Sequence, residues 1–164
     1  SYLNFFKLKN VNFYSEKITF PIKNKIDADI DKVFNRIDLD ENRKNKPIIL
    51  KSDIEGSEFE VIDGIVKYSN RIDALIFEFH WLDRNEDIFL ESIKKLQVFF
   101  DIAHIHANNH CDKLNTGLPI TLEMTLINKK YNSEKNESVN SFPIQDLDFP
   151  NNPTKDDLFF KFSS

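Results

Sequence analysis

The stretch ILKSDIEGSEFEVIDG, residues 49–64, sets Asp53, Glu55, Glu58 and Glu60 around Gly56, one of three glycines in the chain. Carboxylates at this density can accept protons, attract cations or cap the free amides of a helix. Ser57 and Glu60 match the S-x-x-E capping box, in which a hydroxyl and a carboxylate satisfy amides of the first helical turn. Glu58 stands where the positive end of a helix dipole favours an acid, and it fits either a structural or a chemical role. Asp53 and Glu55 precede the helix and are not needed as caps, so the chemical expectation rests on them.

A second group lies in DALIFEFHW, residues 73–81, where Glu78 and His80 are two apart. On a strand that spacing sends both side chains from one face. A carboxylate beside an imidazole raises its proton affinity, which suits a general base and equally a simple ion pair. A third group is HIHANNH, residues 104–110. His104 and His106 share a face, and such imidazoles either ligate a transition metal, with Asp53 or Glu78 completing the set, or face loops and a covering element. Asn108 and Asn109 add amides at the same strand end. Glu123 interrupts the apolar run ITLEMTLI, so it sits on a solvated edge or is buried with a partner.

The elements that must position these groups follow from periodicity. Residues 1–14 and KITFPI read as extended segments, with Pro21 at an edge or strand end. Apolar spacing of three and four from Asp27 to Leu39 predicts a helix. PIILKSD (47–53) predicts a buried parallel strand and residues 57–69 a helix. Residues 73–81 predict a strand, and 85–100 a helix with Ile88, Phe89, Ile93 and Leu96 inward. Residues 101–109 and 119–129 predict two more strands, the last following without a helix and so expected antiparallel. The result is an α/β fold, a mostly parallel sheet with helices on its faces. In such sheets ligands bind beyond the carboxyl ends of the strands, where Asp53, Glu78, His80, Asn108 and Asn109 all fall. Residues 131–164 read as a polar loop and a proline-punctuated tail that packs back on the body.

Composition narrows the function. The 164 residues suit a single domain, and 40% hydrophobic with 30% charged residues reads as globular. A net charge of -5 with no sustained basic face argues against nucleic acid. No apolar run reaches the roughly 20 residues needed to span a bilayer, and no signal core opens the chain, so a cytoplasmic location is expected. The lone Cys111 excludes an internal disulfide and reads as a bystander thiol. Gly56, Gly64 and Gly117 cannot form a G-x-G or P-loop cradle for a nucleotide.

The segment ILKSDIEGSEFEVIDG resembles the Asp-x-Glu-Gly-x-Glu segment of FkbM-type methyltransferases, which use S-adenosylmethionine on a Rossmann-like class I fold. ALIFEFHW, HIHANN and LPITLEMTLINK add order and spacing, and the likeness runs from about residue 47 to 130. The resemblance implies methyl transfer to a hydroxyl of a sugar or natural product. It implies Asp53, Glu55 and Glu58 at the cofactor, and Asp53, Glu78 and His80 in catalysis, with His80 the first choice as base. His106, Asn108 and Asn109 are the implied acceptor contacts, and no residue is assigned to a metal.

No glycine-containing first strand precedes Pro47, so the chain resembles the carboxyl-terminal half of a partial fold, residues 1–46 being atypical and 47–130 the methyltransferase-like core. Ser1 in place of Met fits a fragment or processed chain. The cofactor is then expected to be held with help from an upstream segment or from a second copy in a homo-oligomer. Two other functions fit the same residues: a non-catalytic binding or assembly module, and a metal-dependent enzyme using the His104/His106 cluster.

Overall fold

A computed structural model describes residues 11–44, 46–131 and 141–161. The extended reading of residues 1–10 lies outside the described residues. Two short strands, β1 (Lys17–Ile18) and β2 (Asp27–Ala28), pair in parallel. The Asp27 carboxylate closes the turn between them by accepting from the amides of Lys23 and Asn24 at 2.9 and 2.8 Å. Helix α1 (Ile30–Leu39) starts three residues later than its periodicity predicts, because Asp29 caps it by accepting from the Lys32 amide at 2.8 Å. Strand β3 (Ile48–Ser52) leads into a 3-10 turn (Glu58–Val61) and helix α2 (Ile62–Lys67). Strand β4 (Ile72–Phe79), helix α3 (Leu82–Leu96), strand β5 (Phe100–Ala107) and strand β6 (Leu122–Asn128) follow. A last pair, β7 (Ser141–Phe142) and β8 (Phe160–Lys161), is antiparallel.

The main sheet has the order β3-β4-β6-β5. β3 and β4 are parallel, and β6 runs antiparallel between β4 and β5, as the missing helix before it predicts. Three of the four strands therefore point one way, yet a single neighbouring pair is parallel, so the sheet is mixed rather than mostly parallel. The architecture is mixed α/β: a four-stranded sheet with helices.

Among the described residues the helices cover one face of this sheet, which corrects the expectation of helices on both. Leu75, Phe77 and Phe79 of β4 and Leu122, Met124 and Leu126 of β6 are buried together with Phe89 and Leu96 of α3. Phe79 stacks on Phe59 and meets Phe89 edge-on, tying both helical segments to the sheet. Each such fully buried side chain contributes roughly 1.5 to 3 kcal/mol. The opposite face carries Ile49, Lys51, Ile76, Glu78, Glu123, Thr125, Ile127, His104 and His106. Ile49 is 69% exposed, so β3 is a half-solvated edge strand and not the buried one its apolar run suggests. Helix α3 also begins earlier than predicted, burying Leu82 and leaving Ile88 half exposed.

Candidate active site

The acidic turn after β3 does not use the predicted capping box. Ser57 makes no side-chain cap bond, and Glu60 instead accepts from the Thr19 hydroxyl. Glu58 takes over the local role. Its carboxylate, with none of its side chain exposed, accepts from the amides of Ile54 at 3.0 Å and Gly56 at 3.0 Å. The turn needs left-handed backbone at Glu55 (φ 53°) and Gly56 (φ 99°). A Cβ at Gly56 would lie 2.7 Å from Trp81 Cδ1, so the indole closes over this glycine.

The same Glu58 Oε1 lies 3.0 Å from His80 Nδ1. A carboxylate oxygen is an acceptor, so Nδ1 carries the donated proton and the lone pair of a neutral ring is on Nε2. That atom is 3.7 Å from Glu55 Oε2 and 3.9 Å from Glu78 Oε1, and it makes no hydrogen bond among the described residues. The His80 side chain is 12% exposed, whereas that of Glu55 is 79% exposed. Asp53 pairs with Lys51 at 3.0 Å, and its carboxylate raises the lysine's proton affinity. Asn108 donates to Glu78 at 2.7 Å and accepts from the His110 amide. Five residues predicted at this edge, Asp53, Glu55, Glu58, Glu78 and His80, thus converge, with Asn108 joining through Glu78.

His106 and Asn109 are brought together elsewhere. Glu123 of β6 pairs across the sheet with Glu78 on one side and His106 on the other. Facing carboxylates are unfavourable, and here each has its own partner: Asn108 for Glu78, His106 and Asn151 for Glu123. His106 is 6% exposed and spans Glu123 (Nδ1, 3.3 Å) and Asp157 (Nε2, 3.0 Å). Those two carboxylates, Glu123 first, hold its proton affinity up, at a pKa of about 9, against the opposing effect of burial. Reciprocally, His106 lowers the pKa of Glu123. His104 Nε2 lies 3.0 Å from Asp148 without hydrogen-bond geometry. Asn109 donates to the Asn152 carbonyl and accepts from the Asn152 amide. His104, His106, Asn109 and Glu123 bind the segment 148–157 to the open sheet face.

The metal option built on His104 and His106 gains no support: both nitrogens of His106 are bonded to carboxylates, and neither histidine belongs to a metal-capable group of three among the described residues. Among the described residues, the metal-capable group of three or more is Asp53, Glu55 and His80. A cavity of about 390 Å3 lies on the open face, bordered by Lys51, Glu78, Glu123, Phe149 and Asn151, so it shares Lys51 and Glu78 with the edge. A larger hollow of about 880 Å3 near Tyr14 shares no residue with the edge, and its Arg36 and Glu16 are already paired.

Sequence reasoning missed Trp81 and Lys51. The signals were an aromatic directly after the strand-end histidine and a cation two residues before Asp53. It also missed the tail contacts, which no local spacing encodes.

No helix among the described residues is long and apolar enough to cross a membrane. No curated protein and no solved structure matches the chain. The model of the methyltransferase FkbM domain matches residues 10–109, beginning well upstream of Pro47 and ending before β6. With well over half its length matched and the acidic turn, Glu78 and His80 inside the match, the chain belongs to the FkbM methyltransferase domain family.

Proposed function

We propose that this chain carries the acceptor half of a methyl transfer from S-adenosylmethionine to a hydroxyl group. The carrying observation is His80: Nδ1 is anchored on the buried Glu58, while Nε2 is free beside Glu55 and Glu78. A base within hydrogen-bond reach of an acceptor hydroxyl takes its proton as the oxygen attacks, an effect worth about 10² to 10⁴ in rate. The cavity bordered by Lys51, Glu78, Phe149 and Asn151 suits a polar small molecule or sugar with its hydroxyl turned toward the edge. Three co-directional strands with one antiparallel strand between them support the reading of a partial Rossmann-like methyltransferase sheet.

The cofactor, when bound, supplies an electrophilic methyl group on a cationic sulfur. The described residues fit its reactive end, where Asp53 and Glu55 offer negative charge. The two glycines of the acidic segment offer no bare approach for its adenosine, since Gly56 is closed over by Trp81 and Gly64 packs on Ile30. That observation favours a second reading, a binding or assembly module that keeps the acceptor half of the fold.

Incubation with methyl-labelled S-adenosylmethionine and a panel of hydroxylated acceptors separates the two. Label on an acceptor oxygen supports transfer and removes the module. Absence of label together with no calorimetric binding of S-adenosylmethionine overturns the enzyme reading.

A further inference from the structure

We propose that Asp53, Glu55 and His80 form a site for a divalent cation of the Co2+ or Zn2+ class, which competes with the proton for His80 Nε2. One ligand atom from each of the three lies within 4.8 Å of the others. One imidazole with two carboxylates is a donor set suited to such borderline ions, whereas Mg2+ and Ca2+ prefer oxygen alone.

The independent observation is Glu58, which belongs to no part of the trio. It is fully buried, held by two backbone amides, and receives the Nδ1 proton of His80. A carboxylate behind an imidazole in this way fixes the tautomer and aims the other nitrogen, the arrangement that orients histidine ligands at metal centres. His80 Nε2 is thus pre-aimed, and its ring need not move.

Bound donors at about 2.0 to 2.2 Å from Zn2+ lie roughly 3.3 Å apart. The Nε2 to Glu55 separation of 3.7 Å is close to that, and Glu55 is exposed and free to turn inward. Asp53 must exchange its ion pair with Lys51, whose side chain is 63% exposed and can extend into solvent. Surface pairs of this kind contribute little to stability, so the exchange costs little. By contrast His106 commits both ring nitrogens, to Glu123 and Asp157, and has no such freedom. Cation binding itself is independent of the methyltransferase reading. Its consequence rests on that reading: a cation on Nε2 prevents His80 from accepting a proton and inhibits transfer.

The test is titration of the chelator-treated chain with Co2+, followed by calorimetry and by paramagnetic broadening of histidine ring signals. One equivalent is expected to bind, broadening His80 first. Glu55→Gln and Asp53→Asn, both away from the core, are each expected to weaken binding by at least ~10-fold, with His104→Gln leaving it unchanged. Thermal melts confirm that these variants fold. No saturable binding at millimolar Co2+, binding insensitive to both acidic substitutions, or first broadening at His110 would each overturn the site. Co2+ binding by a chain that transfers no methyl group when metal-free sinks the catalytic reading alone; metal-free transfer without Co2+ binding sinks the cation site alone.

Discussion

Two imidazole and carboxylate clusters, built from the same residue types, stand a few residues apart on one sheet. At the β3 and β4 ends, His80 spends one nitrogen on Glu58 and keeps the other facing Glu55 and Glu78. On β5 and β6, His106 spends both nitrogens, on Glu123 and Asp157, and is a cation over most of the pH range. The first can still accept a proton or a ligand; the second is a rivet between the sheet and the tail. Reactivity here follows from unspent bonding capacity rather than from the presence of histidine and acid.

The sharpest way to break the contrast is at His80. His80→Gln is expected to lower methyl transfer by about 10² to 10⁴, while proteolytic protection of residues 144–157 stays unchanged. Equal loss of tail protection would show that the two clusters are one structural unit. Next in size is Glu58→Ala, which strands two partly buried amides and an imidazole. A fully buried unsatisfied group costs about 1 to 3 kcal/mol and one that water can reach costs less, so roughly 2 to 4 kcal/mol of stability should be lost in urea unfolding. A loss below about 0.5 kcal/mol would contradict the bracing role.

The His106 cluster predicts a pH dependence of the opposite character. Its folded pKa of about 9 is raised above the unfolded value near 6.5. The stabilisation is therefore fully present below about pH 6.5 and is lost as pH rises through about 9, an effect on the order of 3 kcal/mol. Ring chemical shifts should titrate near pH 9, and residues 148–157 should become protease-sensitive over that window. Asp157→Asn should move the midpoint down, since one of the two carboxylates is removed. The smallest effect is expected at Asp63→Asn, whose pair with Lys95 at 2.8 Å joins two exposed helix surfaces. A change in stability within about 0.5 kcal/mol is expected in the same urea assay.

Much of the site is legible in the order and spacing of the residues. Alternation in 73–81 puts Glu78 on one face, and the placement of Asp53 and Glu55 ahead of a helix marks a strand end, because both patterns depend on local backbone geometry. The capping box fails because its two amides go to backbone carbonyls, Ser57 donating to Ile54 and Glu60 to Ser57. Glu60 is then left to a partner 41 residues away, Thr19. Likewise PIILKSD looks fully buried by composition, but whether a strand is central or at an edge depends on which strands pair with it.

From the sequence by itself come the element order, the antiparallel last strand, the absence of a glycine cradle and the group Asp53, Glu55, Glu58, Glu78 and His80. These rest on periodicity, turn chemistry and residue type, all short-range properties of the chain. Tertiary structure alone decides which of the histidines is free. That choice depends on partners far away in sequence: Glu58 for His80, and Asp148 and Asp157 for His104 and His106. A side chain's remaining capacity to bond is set by the groups that folding brings against it.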